Sequence, residues 1–314
     1  MTGFLGFDTS NYTTSTALYL PETDEMLQQK RLLPVKAGER GLRQSDAVFH
    51  HTVALPELTE RLLEEKNIAL CGVCASVSPR RQEGSYMPCF LVGAGAARIT
   101  AKTHALPFFD TSHQHGHIAA ALYGSGRLDL LRQRFLAFHV SGGTTEALLA
   151  EPDEHDLFRC NLVASSLDLK AGQAIDRAGV MLGLSFPAGK ALDALSQKSS
   201  RTFSPKASMK GANCSLSGIE NQSKAMLLRG EASEDIAKFV LESVCAALDA
   251  MVRALKEQYG ALPLVFSGGV SSNSLIRAFM TERHGAIFAP PAFSADNAAG
   301  VALIGYYKSL QEKK

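Results

Sequence analysis

The chain has 314 residues, 46% hydrophobic and 20% charged, the make-up of an ordinary soluble globular protein with room for two domains or one bilobal one. A net charge of +1 excludes a generic polyanion binder, so any nucleic-acid contact must come from a local patch or a partner. No apolar run reaches the roughly 18 residues of a membrane span, and no basic-plus-apolar leader opens the chain, so a cytoplasmic protein is expected.

Residues 3–20, GFLGFDTSNYTTSTALYL, predict two strands joined by a polar turn, the first ending in Asp8-Thr9-Ser10. Cys71 and Cys74 form a C-x-x-C within a stretch of strand composition. Residues three apart on a strand face opposite sides, and no second such pair completes a site. The six cysteines therefore read as buried free thiols. Residues 90–104 predict a helix whose small residues, GAGAAR, allow close packing on a sheet. Its G-x-G lies inside a helical pattern and is no dinucleotide fingerprint. Residues 111–118, TSHQHGHI, predict a helix start with a serine cap.

Residues 135–150, FLAFHVSGGTTEALLA, repeat the strand–turn–strand layout around Ser141-Gly142-Gly143-Thr144-Thr145. A helix is predicted over 170–182, stopped by Gly183, and a longer one over 233–259. The longer one opens with Ser233-Glu234-Asp235, carries an apolar stripe from Ile236 to Leu255, and stops at Gly260. Between these helices, residues 188–211 hold Lys190, Lys198, Arg201, Lys206 and Lys210 against a single acid, Asp193. Such a run is usually a solvated loop, with an acidic partner as the alternative. A third turn, Gly268-Gly269, follows the apolar LPLVF and opens a helix.

These elements predict an α/β protein with two related lobes, 1–132 and 133–314, the C-terminal helix being free to pack back on the first. One such turn is usually just a hairpin. Three of them, at Asp8, Gly142-Gly143 and Gly268-Gly269, each ending an apolar strand, point to a nucleotide cleft between the lobes, because glycine amides approach phosphate closely.

On a helix His113 and His117 share a face, while His115 turns roughly 200° away from His113. The i,i+4 spacing lets two imidazoles reach one metal ion, although a solvated polar helix start has the same pattern. Gln114 follows the first histidine, so the general base of a zinc protease is missing. Asp296, at the start of a C-terminal helix, offers an oxygen ligand and would leave open positions for substrate.

The ordered motifs GFDTSNYTTSTAL, LPELTERL, HQHGH, VSGGTTEALL, AIDRAGVMLGLSFPAG, SLSGIE, FSGGVSSNSLIR and SADNAAGVA resemble those of one family across nearly the whole chain. That family is the tRNA N6-adenosine threonylcarbamoyltransferases, also described as the glycoprotease or M22 peptidase-like family. The resemblance implies the actin/Hsp70/sugar-kinase-like ATPase fold. It implies a divalent metal, iron or zinc, on His113, His117 and Asp296. It implies a nucleotide, ATP or an adenylate, among Val140, Ser141, Gly142, Gly143, Thr144, Asp176, Gly189 and Asn273, to which the three turns add Asp8, Gly268 and Gly269. The implied reaction moves a threonylcarbamoyl group from its adenylate to N6 of the adenosine beside the tRNA anticodon. Partner proteins of that t6A pathway and tRNA are the implied partners, with no membrane and with a homo-oligomer compatible. No catalytic acid or base is assigned.

The chain departs from the family at His115, which replaces an acid, at Thr144, which replaces a histidine, and at Gln173, which replaces a glutamate. Asn11-Tyr12 replace an acidic pair, and SVSPRRQEGSYMPCFLVG replaces a compact Gly-Pro-Gly loop. These departures imply slower transfer, raised by Glu at 115 and His at 144, or else a non-catalytic nucleotide-binding paralogue serving as a scaffold or regulatory subunit.

Overall fold

Strand-forming and helix-forming runs alternate along the chain. Their order is β1 (Thr2–Ser10), β2 (Thr13–Leu20), β3 (Glu25–Leu32), α1 (Gln44–Leu63), β4 (Ala69–Ser78), α2 (Phe90–Thr103), β5 (Phe108–Ser112) and α3 (His113–Gly124). Then come β6 (Phe135–Val140), β7 (Thr145–Asp153), β8 (Leu157–Ser165), α4 (Ala171–Met181), α5 (Gly189–Ser196), β9 (Ser208–Lys210), β10 (Asn213–Ser215), α6 (Ser217–Leu228) and α7 (Ser233–Tyr259). The chain closes with β11 (Leu264–Ser267), α8 (Ser274–His284), β12 (Ile287–Phe288), α9 (Pro291–Ser294) and α10 (Ala299–Gln311). The structure, a computed structural model, describes residues 1–10, 12–34, 42–64, 68–294 and 298–312. Among the described residues no helix is long and apolar enough to cross a membrane.

Two units divide the chain. Met1–Arg132, Glu151–Cys160 and Ala295–Lys314 form the first, and Gln133–Ala150 with Asn161–Ser294 form the second. The first is built on a five-stranded sheet of order β3-β2-β1-β4-β5. Its β1–β2 hairpin is antiparallel, pairing Asp8 with Ser15 and Ser10 with Thr13. β4 and β5 follow in parallel beside β1. Nearly every residue of β1 and β2 is buried, as expected of central strands covered on both faces. Asn11 lies outside the described residues.

The second unit is built on the sheet β12-β11-β6-β7-β8. β11 runs parallel to β6 and places Ser267 opposite His139. Helix α7 packs its stripe of Ile236, Phe239, Val240, Val244, Leu248, Met251 and Leu255 into this unit's core. It ends at Gly260, whose φ of 84° closes the helix as the sequence predicts. Its cap differs from expectation. Ala232 takes the capping position, so Ser233 is the first helical residue and Glu234 and Asp235 face the positive end of the dipole.

In the first unit, α10 lies against α3, β1 and β4. The approach is backbone to backbone. A Cβ on Gly300 would overlap the Gly116 carbonyl oxygen of α3, and one on Gly6 of β1 would stand 2.5 Å from the Ala302 nitrogen. Neither obstacle is a movable side chain. Gly300→Ala is therefore expected to cost about 3 kcal/mol of stability, at the upper end for overpacking. Denaturant unfolding at neutral pH measures it, and an unchanged midpoint would mean that α3 and α10 are free to move apart.

Candidate functional site

Helix α3 begins where β5 ends. Ser112 caps it, its hydroxyl accepting from the His115 amide at 3.3 Å. The Gln114 amide donates to the Pro79 carbonyl at 3.0 Å, which fixes the loop after β4 to the same first turn. From this held start the three histidines enter two different environments.

His113 and His117 meet on one face. Their Nε2 atoms are 3.0 Å apart and the rings stand edge to face, with centroids 4.3 Å apart. Imidazole binds zinc at about 2.0–2.1 Å, so two nitrogens this close can share one ion. Behind His113, Nδ1 faces Asp8 Oδ2 at 2.7 Å. The other oxygen of Asp8 accepts from the Ser76 hydroxyl at 2.5 Å. Asp8 is 1% exposed, so both of its oxygens are committed inside the first unit. The sequence offered Asp8 for a nucleotide; the structure sets it against a histidine.

His115 points the other way and is 2% exposed. Its Nε2 donates to the Phe158 carbonyl at 2.9 Å, its Nδ1 lies 2.7 Å from the Ser112 hydroxyl, and its ring stacks on Phe158. Burial pushes its pKa down to about 4, so the ring is neutral at pH 7. Asp296, the expected third ligand, lies outside the described residues. Among the described residues no set of three His, Cys, Asp or Glu side chains is arranged to hold a metal ion. The C-x-x-C pair falls on β4 as free thiols, and burial pushes the Cys74 thiol up to about 12, far from a metal-binding thiolate.

The second unit gathers the other site residues. The turns after β6 and β11 lie at the carboxyl ends of neighbouring parallel strands, where open α/β sheets hold ligands. Gly268 has φ of 93°, and a Cβ there would overlap the Val140 carbonyl, so only glycine lets the two turns touch. Gly142, Gly143 and Gly269 by contrast face open space. The Ser141–Thr144 turn is closed by Ser141 N donating to Thr144 O at 2.7 Å and Thr144 N donating to Ser141 Oγ at 3.1 Å.

Helix α4 starts against this turn, with Gly172 N donating to Ser141 O at 3.2 Å and Ala171 N donating to Thr145 Oγ1 at 2.8 Å. One oxygen of Asp176 on α4 accepts from the Ala188 amide at 2.7 Å, which places Gly189 at the head of α5. Asp193 on α5 accepts from both Ser274 N and Ser274 Oγ at 2.8 Å, next to Asn273. Asn273 caps α8 with its oxygen, 3.0 Å from Ile276 N, and leaves its buried Nδ2 without a partner among the described residues. Val140, Ser141–Thr144, Asp176, Gly189, Gly268, Gly269 and Asn273 thus form one bonded neighbourhood. The links through Ser76, Phe158 and Asp193 were not anticipated, because each joins residues remote in sequence and of ordinary type.

Comparison with known proteins follows the same outline. The profile that describes TsaD, tRNA N6-adenosine threonylcarbamoyltransferase, matches residues 33–303. The chain belongs to this family. It is 28% identical to the tRNA N6-adenosine threonylcarbamoyltransferase of Streptococcus pneumoniae (strain ATCC 700669), over 98% of this chain and 91% of that one. It is 29% identical to the same-named protein of Limosilactobacillus reuteri (strain DSM 20016), over 96% and 90%.

Among solved structures, component A of the Acidaminococcus fermentans (R)-2-hydroxyglutaryl-CoA dehydratase superposes with a TM-score of 0.57 at 17% identity, covering 99% of this chain and 100% of that one. Full-length HypF superposes with 0.60 at 12% identity, over 98% of this chain and 55% of that one. A ROK family protein from Streptococcus pneumoniae TIGR4 gives 0.51 at 9% identity, over 99% of each. At such identities the likeness is one of fold, the actin/Hsp70/sugar-kinase-like ATPase fold expected from the sequence.

The environment of His115 reverses one expectation. A glutamate there would face the Phe158 carbonyl in a buried site and would not join the His113–His117 face. His115→Glu is expected to destabilise the family member by about 3 kcal/mol, as for a buried charged group without a donor. Thermal unfolding at pH 7.5 checks this, and an unchanged transition would mean that the position is open to solvent.

Proposed function

We propose that this TsaD family member transfers a threonylcarbamoyl group from its adenylate to N6 of the adenosine beside the tRNA anticodon, with a divalent metal, iron or zinc, held by His113 and His117 and completed by Asp296. The observation that carries this is the convergence of the two Nε2 atoms at 3.0 Å, in a chain matched by the family over residues 33–303. When bound, the metal would supply Lewis-acid polarisation of a phosphate or acyl oxygen.

The chain's own groups would do the rest. The exposed Gly142 and Gly143 amides suit phosphate, and the second Asp176 oxygen is available to ribose hydroxyls. The unpartnered Asn273 Nδ2 would donate to a base or ribose edge, recovering a bond that its burial otherwise forfeits. A scaffold without activity is not favoured, since the two relatives above are themselves named transferases.

The test is formation of modified adenosine in tRNA by the purified protein, supplied with the adenylate donor and the partner proteins of the pathway. Product is expected from the wild type and is expected to fall at least about 100-fold in His113→Ala and His117→Ala, since a lost metal removes several kcal/mol of charge stabilisation. No modified adenosine from the wild type, with ATP or ADP still bound, would end the transferase reading.

Asp176 calls for Asp176→Asn rather than alanine, because alanine would also release the Ala188 amide. The asparagine variant is expected to weaken ADP binding by about 10-fold, in line with one charge-assisted hydrogen bond. Unchanged calorimetric affinity would mean that the ribose contact is misassigned.

For tRNA, the run from Lys190 to Lys210 divides in two. Arg201 is already paired with Glu231 at 2.8 Å and Asp235 at 3.2 Å. Lys190, Lys198, Lys206 and Lys210 are exposed. Each lysine that meets phosphate should lower the slope of log affinity against log salt by about one when replaced by alanine, whereas Arg201→Ala should leave it unchanged. A slope unmoved by all four lysine variants would remove this run from the RNA contact.

A further inference from the structure

Asp8 sits at the carboxyl end of β1, where the sequence alone suggests a residue aimed at a nucleotide. Its surroundings suit another task. Oδ2 is 2.7 Å from His113 Nδ1, Oδ1 accepts from Ser76, and the side chain is 1% exposed. The 2.7 Å approach of Asp8 Oδ2 suits an Nδ1–H of His113 donating to the carboxylate. Nε2 is then the nitrogen turned towards His117, whose Nε2 lies 3.0 Å away.

We infer that Asp8 is a positioning residue for the His113–His117 pair. It fixes the ring orientation and tautomer of His113 so that Nε2 is presented as a ligand, and it does not bind the nucleotide. This rests on the metal reading given above. The carboxylate also raises the basicity of the ring it accepts from, which strengthens Nε2 as a donor to a cation. Ser76 holds the carboxylate in turn. The hydroxyl comes from β4, the parallel neighbour of β1, so the strand that borders β1 fixes the aim of its last acid.

The inference separates from the metal reading in experiment. Zinc and cobalt(II) affinities are measured by calorimetry and by the cobalt absorption spectrum, with ADP affinity measured alongside. His113→Ala and His117→Ala test the metal reading by themselves, because loss of metal binding in them is expected whatever Asp8 does. Asp8→Asn, nearly isosteric, is expected to weaken metal binding 10–100-fold and to leave ADP affinity within about twofold. Ser76→Ala is expected to produce a smaller loss of metal affinity in the same direction.

A second readout needs no metal and no variant. Nitrogen-15 NMR of the metal-free wild type at pH 8 should show His113 with its proton on Nδ1 and a bare Nε2. Three results would overturn the inference: a proton on Nε2 of His113, unaltered metal affinity in folded Asp8→Asn, or loss of ADP binding in that variant with metal binding intact. A wild type that binds metal only weakly, while His113 still shows the Nδ1 tautomer, would count against the metal reading and leave the positioning of His113 standing.

Discussion

Helix α3 brings two imidazoles to one point by their i,i+4 spacing, and the same helix is held backbone to backbone against α10. The Gly300–Gly116 contact leaves no room for a single methyl group, and Gly6 repeats the condition between α10 and β1. Gly6 and Asp8 are two apart on β1 and so share a face. The face that admits α10 at Gly6 is thus the one that carries Asp8 towards α3. The absence of Cβ atoms at Gly300 and Gly6 lets α10 come close both to the helix that bears the histidines and to the strand that bears their carboxylate. Interiors packed this closely transmit a misplaced atom instead of absorbing it.

The two sides of the α3 start differ in what they ask of a histidine. Around His115 every polar atom has a fixed partner and the ring is neutral and dry, so its work is anchorage. Nearby, Arg81 bonds Asp110 and Asp156, and Lys308 bonds Asp156 at 2.7 Å. These links tie the loop after β4, strand β5 and helix α10 together. Each pair is partly exposed and worth at most about 1 kcal/mol, so the group specifies geometry more than it adds stability. On the other side, His113 and His117 face each other at a distance suited to sharing a cation, with a buried acid behind one of them.

Much of this was legible in the sequence, and the division follows physical range. Helix α7 was readable to the residue, because its apolar stripe and Gly260 are local signals. The cap of α3 at Ser112, the i,i+4 histidine pair and the opposite heading of His115 were likewise set by helical geometry. The glycine turns after β6 and β11 were visible as turns. Their contact through Gly268 and Val140 was not, since it depends on the pairing of strands more than a hundred residues apart. Asp8 shows the limit most clearly. Its place at the end of an apolar strand was plain, but its partners His113 and Ser76 come from other elements, and nothing in the local pattern distinguishes a carboxylate that meets ribose from one that meets imidazole. Asp296 lies outside the described residues, so its part stays as the sequence left it.

The same geometry sorts the family departures by consequence. At 115 the exchange of an acid for histidine falls on the dry side of α3, where the neutral ring donates to a carbonyl that a carboxylate could only repel. At 173 the exchange of glutamate for glutamine keeps the function of the side chain, because Gln173 Oε1 still accepts from the Lys170 amide at 3.1 Å to close the first turn of α4. Thr144 is different. Its backbone closes the turn between β6 and β7, while its hydroxyl makes no hydrogen bond among the described residues, and Gly142 and Gly143 beside it face open space. Of these three, the departures at 115 and 173 are therefore absorbed by local hydrogen bonding, and the one at 144 changes what the turn presents outward.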